Sequence, residues 1–164
     1  LDLVHEATHN KKASRANLDM QLPITALLPT HYIADLNERT RWYLALSRAD
    51  NPAALAQQVA RLQKTYGTLP EEAENLVKLL ELQHVAANAH LTAIASQAIT
   101  PPGKPKHERL LITGKNLPEI LHKLGDLGPW VVRGSTLTLD IPKITIELVE
   151  ELTRALSSLS PLPG

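Results

Sequence analysis

The sequence predicts an α+β fold, with a helical N-terminal half that carries one edge strand, followed by a small, mostly antiparallel sheet flanked by two helices. From residue 35 to about 88, apolar residues recur every three or four positions, which is the period of a helix packed on one side. From residue 91 onward, short apolar runs alternate with turns that contain glycine and proline, which is typical of strands. At 164 residues the chain has the size of one ordinary domain and can bury a core.

Composition excludes several classes of function. The 17 basic residues are balanced by 17 acidic ones, which argues against a protein held to nucleic acid by phosphate contacts alone. Cysteine is absent, which removes disulfides and thiolate chemistry and fits a cytoplasmic location in a bacterium, although it is not specific to that compartment. No apolar run is long enough for a membrane helix, and there is no signal-like start. Because Leu1 is not an initiator methionine, we expect a fragment of a larger protein.

The N-terminal ten residues contain a pattern that is typical of zinc peptidases. His5, Glu6 and His9 match H-E-x-x-H, in which two imidazoles one helical turn apart hold zinc and the glutamate acts as general base. Such a site needs a third ligand from another element, whereas here the polar run from Asn10 to Asn17 follows at once. A zinc hydrolase is therefore one alternative, but we favour a chance match on a linker helix with no metal bound.

The stretch from Leu22 to Leu46 is predicted to begin as a strand and to end as a helix. Pro23 and Pro29 have no backbone N–H, so a strand across Leu22–Leu27 suits the edge of a sheet. Asp35 is expected to cap the next helix in a capping box with Glu38 and to pair with Arg39. We expect this helix to bury two flanks, formed by Leu36, Trp42, Tyr43, Leu44, Leu46, Ser47 and Ala49.

Two further helices follow in the first half. Asn51 and Pro52 predict the cap and first position of the second helix, and Gly67 is expected to end it. Pro70 opens the third helix, in which His84 is interpreted as a core histidine rather than a ligand. The expected buried stripes are Leu55, Val59, Leu62 and Tyr66 in the second helix, and Leu76, Val77 and Leu80 in the third.

The second half predicts four strands and two helices. Strands at Leu91–Thr100 and Arg109–Gly114 flank a proline-rich loop, and Trp130–Arg133 and Thr136–Ile141 form a hairpin. Between them, Asn116 and Glu119 predict a capping box, and Ile144–Leu159 is the final helix. On these two helices, the residues expected to face the core of the fold are Leu117, Ile120, Leu121, Leu124, Leu148, Val149, Leu152, Leu156 and Leu159.

Signatures of catalysis are otherwise missing from the sequence. It has neither G-x-x-x-x-G-K-[ST] nor G-x-G-x-x-G, so it lacks the usual phosphate-binding loops. Ser157, Ser158 and Ser160 have no histidine at an ordered spacing, which argues against a nucleophile. We therefore expect no catalytic residues, no cofactor and no enzymatic activity in this fragment. A free-standing nucleic-acid-binding module is a weaker alternative.

Two groups of residues carry a resemblance to a known family. The first reads Leu22-Pro23, Leu27-Leu28-Pro29, Tyr32-Ile33, Asp35, Asn37, Arg39 and Tyr43, and the second reads Tyr66-Gly67-Thr68-Leu69-Pro70. Their order and separation resemble the opening of the C-terminal domain, or TRCF domain, of bacterial transcription-repair coupling factors. The resemblance is good over residues 18–113 and extends over the last third only in the order of elements.

The resemblance implies a division of the chain and a set of partners. Residues 1–17 would be a linker helix and polar linker left from a preceding translocase module, 18–160 the regulatory domain, and 161–164 a tail. In this family the parent protein is an ATP-dependent DNA translocase that binds RNA polymerase and duplex DNA in transcription-coupled nucleotide excision repair. Its C-terminal domain packs on a UvrB-like N-terminal module and covers the surface that UvrA uses, which is autoinhibition.

The chain departs from this family at the expected interface. Relatives commonly carry a glutamate six residues and an aspartate three residues before the landmark glycine, and these acids face basic residues of the UvrB-like module. Counting back from Gly67, this sequence has Arg61 and Lys64. If the two residues bind the partner, either the UvrB-like module has exchanged its basic residues for acidic ones, or the domain binds weakly or docks differently. The remaining alternative is an ordinary solvated helix face, and we favour the charge-exchanged interface.

Overall fold

The computed structural model describes residues 18–159, and its element order confirms the predicted α+β fold. The predicted linker at 1–17, with its His5–His9 pattern, and the tail at 161–164 lie outside these residues. In chain order the elements are β1 (Asp19–Gln21), α1 (Leu36–Arg48), α2 (Pro52–Tyr66), α3 (Glu71–Asn88), β2 (Leu91–Ile99), β3 (His107–Gly114), α4 (Leu117–Leu124), a 3₁₀ turn (Gly125–Leu127), β4 (Val131–Arg133), β5 (Thr136–Ile141) and α5 (Ile146–Ser157).

The chain divides into two compact units. Among the described residues, the helical unit is Ile24–His84, and the sheet unit is 18–23 together with 85–159. The boundary between His84 and Val85 lies inside α3.

The helical unit is built around an apolar cluster that α1, α2 and α3 share with the segment preceding α1. Leu62 on α2 is fully buried in this cluster, as its position in the predicted stripe requires. Val59 and Tyr66 from the same stripe pack against the cluster and are partly buried. The buried members are Leu28, Ile33, Leu46, Ala49, Leu55, Leu62, Leu69 and Ala73.

The sheet unit contains one five-stranded sheet in the order β1-β2-β3-β5-β4. β1 pairs with β2 in parallel and every other pairing is antiparallel, which confirms the predicted edge strand and mostly antiparallel sheet. α4 packs against α5 and β5. The fully or almost fully buried residues of this layer are Ile94, Leu110, Ile112, Leu137 and Leu139 in strands, and Ile120, Leu124, Val149 and Leu152 in helices.

The predicted position of the edge strand at Leu22–Leu27 is wrong. The strand lies just before it, at Asp19–Gln21, where Met20 pairs with Ile94 of β2. The proline-containing segment that follows finds its partners among the helices instead. The Leu27 N–H donates to the carbonyl oxygen of Glu72, and Leu28 is buried in the cluster of the helical unit. Proline spacing predicted an edge but could not tell which residues pair.

The expectation that α1 buries two flanks is also wrong. Leu36 is 65% exposed and Leu44 is 45% exposed, whereas Leu46 is buried. Trp42 and Tyr43 are partly buried against the cluster. The helix therefore packs on one side only, and its apolar residues outnumber the positions that face the core.

Two predictions about helix starts in the sheet unit are wrong. Asn116 has φ 56° and ψ 35°, a left-handed conformation that asparagine tolerates, and its side chain makes no cap hydrogen bond. Pro118 in the first turn supports this start of α4 instead. The last helix begins at Ile146 rather than Ile144, because the Thr145 side chain accepts from the Leu148 N–H as its cap.

Candidate partner-binding site

The family landmarks of the helical unit form hydrogen bonds that hold the segment preceding α1, the start of α1 and the α2–α3 connection. Seven of the eight predicted landmarks make such bonds through a side chain or the backbone. The landmarks are Pro29, Tyr32, Asp35, Asn37, Arg39, Tyr43, Gly67 and Pro70.

The connection between α2 and α3 is tied to the segment before α1. The Tyr32 hydroxyl donates to the Gly67 carbonyl at 2.6 Å, and its ring lies 5.7 Å from that of Tyr66. Burial, followed by the nearby Tyr66, raises the pKa of Tyr32. Gly67 ends α2 with φ 93°, a conformation that residues with a Cβ rarely adopt. The two landmark groups therefore meet in one contact.

Tyr43 makes the second tie. Its hydroxyl oxygen accepts the N–H of Leu28 at 2.7 Å, so α1 satisfies a backbone donor of the proline-containing segment. Leu28 itself is buried. This partnership fixes the segment on α1 without any strand pairing.

The start of α1 is capped partly as predicted. The Asp35 carboxylate accepts the Glu38 N–H at 2.9 Å, which confirms the cap. The Glu38 carboxylate, however, accepts from Arg41 at 2.7 Å, in place of the predicted return contact of the capping box. Arg39 donates to the carbonyl oxygens of Ile33 and Ala34 rather than pairing with Asp35.

The remaining landmarks differ in their surroundings. Pro29 accepts from the Ile33 N–H, and Pro70 accepts from Ala73 and Glu74 at the start of α3. Asn37 is exposed on the first turn of α1, and no contact in the structure explains its place in the pattern.

The two predicted partner-binding residues lie on the exposed side of α2. Arg61 and Lys64 are both exposed, and Leu62 between them is fully buried. Their spacing of three residues puts them on one face of the helix. The structure therefore presents two cations to solvent on a helix whose opposite side is anchored in the core.

An open groove of about 310 Å³ lies beside Arg61, between α1 and α2. Its lining residues are Glu38, Arg41, Trp42, Ala45, Gln58 and Arg61. Sequence reasoning assigned Trp42 to the buried side and did not consider Arg41 or Gln58. Helical spacing alone could have shown that Arg41 and Ala45 share a face, but not that α2 brings Arg61 next to them.

An ion pair links two neighbouring strands of the sheet unit. Arg109 on β3 binds Asp140 on β5 through two hydrogen bonds of 2.7 and 3.0 Å. The hydrogen bond from Arg109 is the main reason that the pKa of Asp140 is lowered. Asp140 and Arg109 face each other in the strand register, so their pairing is explained by the sheet itself.

Candidate catalytic and metal-binding residues are placed as follows. The Ser157 and Ser158 hydroxyls donate to the carbonyl oxygens of Arg154 and Ala155, within their own helical turn. His84 is buried as predicted, with Nε2 donating to the Ala49 carbonyl at 2.9 Å. Across residues 18–159, no group of three or more His, Cys, Asp or Glu side chains could hold a metal ion. His5 and His9 lie outside that range.

Comparison with known sequences agrees with the residue pattern. The family model described as the TRCF domain matches residues 22–100, a range that contains both landmark groups. Over these 79 residues, just under half of the chain, the sequence is similar to the TRCF domain. The resemblance predicted from the sequence is confirmed over that range.

Three relatives, each named as a transcription-repair-coupling factor, are similar to parts of this chain. The Haemophilus influenzae protein is 30% identical over 73 residues, which are 44% of this chain and 6% of the relative. The Myxococcus xanthus protein is 34% identical over 65 residues, 40% of this chain and 5% of the relative. The Buchnera aphidicola protein is 27% identical over 86 residues, which are 52% of this chain and 11% of the relative. The chain thus spans about a tenth or less of their length.

A solved structure extends the likeness of the fold beyond the matched sequence. The crystal structure of the C-terminal domain of a transcription-repair coupling factor superposes with a TM-score of 0.68, covering 86% of this chain and 92% of that one. Sequence identity is 16%, so the match establishes the fold of this chain and nothing about its ligands. None of the helices within 18–159 is long and apolar enough to cross a membrane.

Proposed function

We propose that this TRCF domain is a non-catalytic regulatory domain that docks on the UvrB-like module of its own parent protein. Docking there masks the surface that UvrA binds and holds back nucleotide excision repair until the domain is released. The parent is an ATP-dependent DNA translocase that acts on stalled RNA polymerase in the cytoplasm, and the present domain works without a cofactor. The alternatives of a zinc hydrolase or a nucleic-acid-binding module are not favoured by any contact in the described part of the chain.

The observation that carries the proposal is the exposure of Arg61 and Lys64 on α2 of a TRCF fold. Two adjacent cations on an anchored helix are suited to a partner surface that carries carboxylates. Because relatives carry acids at these positions, we propose that the interface is kept with its charges exchanged, so that the UvrB-like module of this parent presents acidic residues.

The test is a charge reversal on α2. The double variant Arg61→Glu, Lys64→Glu should weaken binding of the 164-residue chain to the UvrB-like module of the same parent. The loss should be largest at low salt, where surface charges are least screened. Binding is measured by calorimetry. Competition is measured by adding UvrA to the preformed complex, and UvrA should displace the double variant from the UvrB-like module more readily than it displaces the wild-type chain.

The matched control reverses two exposed cations of the sheet unit, Lys123→Glu with Arg154→Glu. This control variant has the same net charge as the α2 double variant, and we expect it to bind the UvrB-like module as the wild-type chain does. An unchanged affinity of the α2 variant at low salt would remove Arg61 and Lys64 from the interface. A wild-type chain that does not bind the UvrB-like module at all would overturn the proposed function.

A further inference from the structure

We infer that the groove between α1 and α2 is a docking site for an acidic segment of the partner protein, in which a carboxylate lies between Arg41 and Arg61 and an apolar side chain covers Trp42. This inference rests on the proposed function, because it takes the segment to belong to the UvrB-like module. It names a site, with residues on α1, that the landmark pattern does not assign.

The groove is an open depression in two parts that share lining residues. Its first part, about 310 Å³, holds Trp42 between Arg41 on α1 and Arg61 on α2. A second part of about 340 Å³ shares Ala45 and Gln58 with the first and continues to Ala49 and Ala54 near the α1–α2 turn. Small alanine side chains from both helices leave this space open. From Glu38 to Ala49 the groove follows roughly 16 Å of helix, at about 1.5 Å per residue.

Charge determines the class of ligand. Arg41 and Arg61 project from different helices toward the same space, and guanidinium groups hold carboxylates through paired hydrogen bonds. The second part of the groove is lined by both Arg48 and Asp50, so the excess of positive charge lies in the first part. The acid that lines the first part, Glu38, binds Arg41 at 2.7 Å. This pair is on the surface, with the Arg41 side chain 74% exposed and that of Glu38 39% exposed. A surface ion pair of this kind contributes little to stability, so a ligand carboxylate can compete for Arg41.

Trp42 supplies the apolar part of the site. Its ring packs edge-on against Tyr66 at 6.5 Å between centroids and is only partly buried, so one side of the indole still lines the groove. Tryptophan and arginine are enriched among the few residues that carry most of the binding energy of protein interfaces. An acidic residue next to an apolar one in the partner segment would satisfy both.

The test uses the two tryptophans of the chain, Trp42 and Trp130, as fluorine NMR probes. The chain is labelled with fluorotryptophan, and the Trp130→Phe variant assigns the two fluorine NMR signals. Addition of the unlabelled UvrB-like module should shift the Trp42 signal and leave that of Trp130 in place. The module itself contributes no fluorine signal.

A single isosteric substitution tests the charge of the site. Gln58→Glu adds a carboxylate to the groove without changing its shape and should weaken binding about tenfold, which corresponds to about 1.4 kcal/mol. Gln63→Glu makes the same change on the exposed surface of α2 outside the groove lining and should bind as wild type. Arg41→Glu should weaken binding as Gln58→Glu does, and both positions are far enough from the core for the fold to survive.

The outcomes separate the groove from the proposed function. Binding with an unshifted Trp42 signal and no effect of Gln58→Glu would overturn the groove as the docking site and leave the regulatory function standing. Equal losses in Gln58→Glu and Gln63→Glu would overturn it too, because they would mean that only net charge matters. Failure of the wild-type chain to bind the module would overturn both.

Discussion

Tyr32 and Tyr43 show what the family landmarks do at the scale of single residues. Each uses its hydroxyl group once, Tyr32 as donor to Gly67 and Tyr43 as acceptor from Leu28. Neither bond follows from periodicity, because the partners are 35 and 15 residues away in sequence. The sequence could name these tyrosines only through the resemblance, and the structure supplies the physical reason for their place in the pattern.

Tyr43→Phe is expected to destabilise the chain by about 1–3 kcal/mol, because the Leu28 N–H loses its acceptor beside a buried side chain. Tyr32→Phe is the matched comparison. Its partner, the Gly67 carbonyl, lies on an exposed residue and can turn to water, so the loss should be smaller, about 0.5–1.5 kcal/mol. Urea unfolding followed by circular dichroism measures both. Equal effects, or none from Tyr43→Phe, would contradict the assigned role of the buried N–H.

At the scale of elements, the sequence predicted helix caps and turns correctly where the interacting residues are only a few positions apart in the chain. The Asp35 and Asn51 caps and the β4–β5 hairpin are confirmed, since each depends on contacts between neighbours in sequence. The stripe of α2 is also confirmed, because helical periodicity alone places its residues on one face of the helix. The predicted position of the edge strand is wrong because it depends on pairing with β2, which lies about seventy residues away in the sequence. The predicted cap at Asn116 is wrong because the residue has a left-handed backbone instead of the extended one typical of an N-cap, and its side chain makes no cap hydrogen bond.

The α2 stripe leads to a test of which face is inward. Leu62→Ala should cost roughly 2–5 kcal/mol, because it removes a fully buried side chain from the cluster of the helical unit and leaves a cavity. Leu36→Ala is the same substitution at a residue that is 65% exposed and should change stability by less than about 0.5 kcal/mol. Thermal unfolding of both variants decides the matter, and an unchanged midpoint for Leu62→Ala would contradict the assignment.

For the whole molecule, composition and periodicity were sufficient for the α+β class, but not for the candidate site. Arg61 and Lys64 could be named because the landmark Gly67 set their register within one helix. The groove could not be named, because its lining comes from α1 and α2 together and depends on how two helices pack. Resemblance therefore indicated a face of the molecule, and the packing of the helical unit indicated the space beside it.

The His5–His9 pattern leads to a prediction about the whole chain, namely that the purified protein holds no stoichiometric zinc and hydrolyses no peptide. Two imidazoles alone are an incomplete zinc site, since catalytic sites use three protein ligands. Two of the other histidines already bind carbonyl oxygens, His84 that of Ala49 and His107 that of Pro105. Elemental analysis after dialysis against zinc should give well below one zinc per chain, and the same for His5→Ala. About one zinc per chain, lost in His5→Ala and in His9→Ala but retained in His122→Ala, would instead establish a metal site and revive the hydrolase alternative.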